Sequence, residues 1–113
     1  MKTNIRKSGD VNILDLRGKI TIGEGDVLLR KHVKTLIEKG EKNVLVNMAD
    51  VSYMDSSGIG ELIASYTTVA RKGGKMKLVN LSPKIKDILQ ITQLMSVFDI
   101  YDDEDEAIAS FSS

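Results

Sequence analysis

The chain has 113 residues, 42% apolar and 28% charged, and sixteen basic side chains balance sixteen acidic ones. That size and balance suit one globular domain over residues 1–113, and the neutrality gives no electrostatic basis for a nucleic-acid or anionic-membrane partner. With no cysteine and one histidine, His32, thiol chemistry is excluded and catalysis at neutral pH is poorly served, so no catalytic, metal or cofactor site is expected.

In chain order, Asn4 to Lys7 and Val11 to Arg17 read as a hairpin turning at Ser8-Gly9-Asp10. Val11 and Ile13 share one face of the second strand, while Leu14 and Leu16 share the other. Ile20 and Ile22 lead into the breaker cluster Gly23-Glu24-Gly25. A first helix follows over about Asp26 to Lys39, with Leu29, Val33, Leu36 and Ile37 at helical spacing and Gly40 at its C-terminal end. Val44-Leu45-Val46 is a short continuous apolar run, the mark of a strand covered on both faces. After Met48 to Asp55 comes a second helix, about Ser57 to Lys72, with an apolar face of Ile59, Leu62, Ile63, Tyr66, Val69 and Ala70.

Gly73-Gly74 ends that helix, and Met76 to Leu81 is the next strand. Ser82-Pro83 opens a third helix with a capping serine and a first-turn proline, burying Ile85, Ile88 and Leu89. Val97 to Tyr101 reads as a strand and Asp103 to Phe111 as a closing helix, with Ala107, Ile108 and Phe111 inward. The order β-β-α-β-α-β-α-β-α predicts an α/β fold: a mixed sheet with an N-terminal antiparallel hairpin and about four helices, packed mainly on one face. No apolar run approaches a membrane-spanning length, and the first residues lack the apolar stretch of a signal peptide. The expected location is the cytoplasm.

The informative stretch runs from Val51 to Leu62. It is a strand exit, a polar turn and the start of an amphipathic helix. Asp55, Ser56 and Ser57 are all capable N-caps, and Gly58 and Gly60 keep the first turns free of bulk. Two hydroxyls thus sit at the positive end of a helix, where backbone N–H groups stabilise an anion such as phosphate. From physics alone both serines can be simple caps. A nucleophile elbow is disfavoured, because Gly-x-Ser-x-Gly spacing is missing and no histidine follows. A dinucleotide loop fails as well, since Ile63 stands where a third glycine is needed.

Met54-Asp55-Ser56-Ser57-Gly58-Ile59-Gly60 resembles the phosphorylation motif of the anti-sigma-factor antagonists, members of the STAS domain family. The likeness covers essentially the whole chain, through the hairpin with Gly18, the Val44–Asn47 strand, Gly73-Gly74, Ser82-Pro83 and the Phe98 region. It implies a partner switch that is not itself an enzyme. The unphosphorylated domain binds an anti-sigma factor, which is also a serine kinase with an ATPase-like fold, and the sigma factor is released. Phosphate on Ser56 then ends the complex, and a metal-dependent serine/threonine phosphatase resets it. The resemblance places Asp55, Ser56, Ser57, Gly58, Ile59, Gly60 and Thr21 at the partner contact, in a monomer or weak dimer. Thr21 departs from the pattern, since many members carry an aspartate there. The alternatives are a STAS scaffold, or a nucleotide- or lipid-sensing module binding beside the second helix without phospho-switching.

Elsewhere the residues read more plainly. The acidic run Asp102 to Glu106 either compensates the last helix dipole while staying solvated, its simplest role, or faces a partner, and His32 is a packing or surface residue. Leu94 and Met95 serve either core packing or a partner contact.

Overall fold

The computed structural model describes residues 1–112; Ser113, the end of the expected domain, lies outside the described residues. Five strands form one sheet in the order β1-β2-β3-β4-β5: Lys2–Ser8, Val11–Ile20, Asn43–Met54, Lys75–Val79 and Asp99–Tyr101. β1 and β2 are antiparallel, and every later pairing is parallel. The helices are α1 (Gly25–Glu38), α2 (Ser56–Arg71), α3 (Pro83–Ile91) and α4 (Glu104–Ser110).

The alternation read along β2 is what divides the core. Leu14, Leu16 and Ile20 belong to the larger cluster with Leu29, Leu62 and Ile85 of α1, α2 and α3. Val11 and Ile13 belong to a smaller one on the opposite face, closed by Ala107 and Phe111 of α4. Three helices therefore cover one face and a short fourth covers part of the other. Leu62 is completely buried, and truncating a side chain so placed costs about 2–5 kcal/mol. Val44, Leu45 and Val46 are each fully buried, as a central strand between two layers requires.

Several strands differ in extent from the sequence reading: β1 spans Lys2–Ser8, β2 continues past Arg17 to Ile20, and β4 stops at Val79 instead of Leu81. β3 continues to Met54, because β2 runs on to Ile20 and pairs with it past register shifts at Asp15/Arg17 and Gly18/Lys19. β5 begins only at Asp99, since the preceding residues are folded as a turn and Phe98 drops into the core. Leu94 and Met95 are half-buried and pack against the main cluster. The acidic run is used locally. Asp103 caps α4 by accepting from the Glu106 N–H, and Glu104 pairs with Arg6 at 2.6 Å. Among the described residues no helix is long and apolar enough to cross a membrane.

Candidate site at the N-terminus of the second helix

The ends of β2 and β3 deliver two loops to the same place. β3 stops at Met54, Asp55 is extended, and α2 starts at Ser56. β2 stops at Ile20, and a turn through Thr21, Ile22, Gly23 and Glu24 leads into α1. The Asp55 N–H donates to the Ile20 carbonyl at 3.3 Å, which aligns the two exits.

Asp55 is the N-cap. One carboxylate oxygen accepts from the Gly58 N–H at 2.8 Å, the standard use of an acidic cap. The other accepts from the Ile22 N–H at 3.0 Å, in the neighbouring loop. The Ile22 N–H and then the Gly58 N–H hold this carboxyl below its usual range, because both stabilise the ionised form. Thr21 sits between two residues joined to Asp55, half-buried, and its carbonyl accepts from the N–H groups of Glu24 and Asp26.

With Asp55 as cap, Ser56 is free of that duty. It is the first residue of α2 and is exposed, while Ser57 is half-buried. Neither serine hydroxyl makes a hydrogen bond among the described residues. The Ser56 Oγ is thus an accessible, uncommitted hydroxyl at the positive end of a sixteen-residue helix.

The two glycines of the motif do different work. Gly58 is buried, and a Cβ there would collide with the Ile20 carbonyl. Only glycine lets the first turn of α2 approach β2 this closely, so the constraint is internal. Gly60 is exposed and a Cβ there would meet nothing within 4 Å. Ile59 is half-buried and rests on the main core. The structure thus brings Thr21, Asp55, Ser56, Ser57, Gly58, Ile59 and Gly60 into one small region.

Sequence reasoning did not single out Ile22 as part of this region. Its link to Asp55 spans 33 residues and is made by a backbone N–H, so no side-chain pattern announces it.

Other features lie apart. His32 is half-buried and shares a 2.8 Å hydrogen bond with Thr3, and burial, with Lys31 nearby, pushes its pKa down. A shallow pocket of about 440 Å³ on the sheet is lined by Arg6, Asp15, Arg17 and Asp50 among others, and by no residue of the motif. A pocket against α2, beside Tyr66 and Gly74, holds about 80 Å³, well short of the roughly 300 Å³ of a small-molecule site. Among the described residues no cluster of three or more His, Cys, Asp or Glu is placed to hold a metal.

Comparison with known proteins agrees with this architecture. The model of the STAS domain matches residues 2–107. The chain is 34% identical over 95 residues to an anti-sigma-B factor antagonist of Bacillus subtilis, covering 84% of each. It is 24% identical over 98 residues to an anti-sigma F factor antagonist of Paenibacillus polymyxa, covering 87% of this chain and 84% of that one. A solved Thermotoga maritima structure, of a protein proposed to be an anti-sigma factor antagonist, superposes with a TM-score of 0.90 at 26% identity. That match covers 98% of this chain and 95% of the other. With a sheet opened by an antiparallel hairpin, a helix started by Asp55-Ser56-Ser57-Gly58 and a family match over nearly its whole length, the chain belongs to the STAS domain family.

Proposed function

We propose that this protein is a cytoplasmic anti-sigma-factor antagonist of the partner-switching kind, working as a monomer or weak dimer without catalysis of its own. Unphosphorylated, it binds an anti-sigma factor that is also a serine kinase and so frees the sigma factor. The kinase moves the γ-phosphoryl group of ATP onto Ser56 Oγ, ADP leaves and the hydroxyl proton passes to a base of the kinase. A metal-dependent phosphatase hydrolyses the ester and restores the binding form. The observation that carries this reading is the exposed, unbonded hydroxyl of Ser56 at a helix N-terminus whose cap is supplied by another residue. The names of the relatives support the role.

The physics of the switch is local. Phosphate adds roughly −1.5 to −2 charges at pH 7, next to Asp55, which is already ionised. The free N–H groups and dipole of α2 tolerate the dianion in the isolated protein. A protein docked over Ser56 has to desolvate it, which costs several kcal/mol without a matched cation. A loss of about 2.7 kcal/mol is already roughly a hundredfold in affinity.

The test uses the candidate anti-sigma kinase with ATP, and binding assays on two variants. Ser56→Ala should take up no phosphate and keep binding, and Ser56→Asp should bind more weakly. Equal binding by both variants and the parent would leave only the scaffold reading.

A further inference from the structure

We propose that Ile22 is the apolar anchor by which this protein engages its anti-sigma factor, which fits it with an apolar socket beside the phosphate-transfer cleft. The inference rests on the function proposed above and adds the residue that sets partner choice.

Exposed apolar side chains are ordinary when scattered, and exposure alone would not single out Ile22. Its side chain is 73% exposed, yet its backbone is held. The Ile22 N–H is bonded to Asp55, and the Thr21 carbonyl closes the turn by accepting from Glu24 and Asp26. Gly23 is left-handed, with φ 82°, and a Cβ on Gly25 would strike the backbone of Lys19 and Ile20. The turn therefore has no slack. A large apolar group presented on fixed backbone has already lost much of the freedom that binding would otherwise remove.

Its tether is the second link. The residue that fixes Ile22 is Asp55, the neighbour of Ser56, so one carboxylate ties the Ile22 loop to Gly58 in the first turn of α2, where Ser56 sits. Val27 and Tyr53, both exposed apolar side chains, flank the two loops in sequence.

Charge chooses the kind of contact. Thr21–Gly25 and Asp55–Gly60 carry two charged side chains, Glu24 and Asp55. Glu24 pairs with the Met1 amino group at 2.8 Å, and the Asp55 oxygens are taken by two N–H groups. Across these two segments a partner meets little free charge, the nearby Lys84 ammonium lying over the Tyr53 ring at 5.1 Å from its centroid, and the contact the segments make should depend weakly on salt.

The test measures binding of the parent, Ile22→Val, Ile22→Ala and Ile22→Asp to the anti-sigma factor, together with Ser56 phosphorylation kinetics and thermal midpoints. We expect Ile22→Ala and Ile22→Asp to weaken binding by roughly tenfold or more, as losing a buried isoleucine does. Ile22→Val should stay within about threefold. KM should rise with kcat retained, thermal midpoints should be unchanged, and parent affinity should vary little between about 50 and about 300 mM salt. If the parent binds and is phosphorylated while Ile22→Asp matches it, Ile22 is not the anchor and the proposed function stands. If the parent neither binds nor accepts phosphate, both fall.

Discussion

The Ile20 carbonyl occupies the space a side chain on Gly58 would need. β2 and α2 meet backbone to backbone at this point, and the approach places Asp55 within reach of both loops. Gly58→Ala should therefore force the two elements apart, at a cost of about 3 kcal/mol or more, the upper range for overpacking a filled site. Gly60→Ala, two residues on, on the far side of the helix and open to solvent, should add about 0.5–1 kcal/mol, the usual gain of alanine over glycine in a helix. Denaturant melts of the two variants, read side by side, check the contrast. Equal effects would mean that the contact at Ile20 does not constrain the motif.

A pH titration should show the double duty of Asp55. Its folded carboxyl lies below the ordinary value because the Ile22 and Gly58 N–H groups favour the charged form. The stability it supplies is full above the unfolded pKa, near 4, and disappears as pH falls through the lower folded value. The amide resonances of Ile22 and Gly58 should move together, with a common midpoint below about 4. Separate midpoints would contradict one shared carboxylate.

Asp55→Ala should remove the cap and release the Ile22 loop at once. A lost cap of this type lowers the thermal midpoint by roughly 5 °C in a domain of this size. Hydrogen exchange should quicken at both Ile22 and Gly58. Faster exchange at Gly58 alone would show that the loop is held by other contacts.

Phosphate on Ser56 should leave the fold intact. Amide shifts should change in Thr21–Gly25 and the first turn of α2, and the rest of the spectrum should overlay that of the unmodified protein. Global loss of dispersion would mean that the switch works by unfolding instead of by blocking an interface.

The architecture was legible because local signals and periodicity agree. Leu14 and Leu16 against Val11 and Ile13 already assign the two faces of β2, and Ser82-Pro83 and Gly40 mark helix ends by known chemistry. The full length of β3 was not legible. Asn47 to Met54 alternates poorly, and its strand character comes from pairing with a bulged β2. The motif was legible as a place but not as a set of roles. Three adjacent residues can cap α2; Asp55 is the one that does, and its second oxygen is held by Ile22, a residue 33 positions away. That selection leaves the Ser56 hydroxyl unengaged.

Everything in the proposed cycle follows from an oxygen at the tip of α2 that an enzyme can reach and esterify. The direct measurement is to incubate the protein with the anti-sigma kinase and ATP, then locate phosphate by fragmentation mass spectrometry. The account predicts a single phosphate on Ser56, none on Ser56→Ala, and release of the kinase as the modification proceeds. Phosphate on Ser57 or elsewhere, or an undiminished complex after complete modification of Ser56, would contradict it.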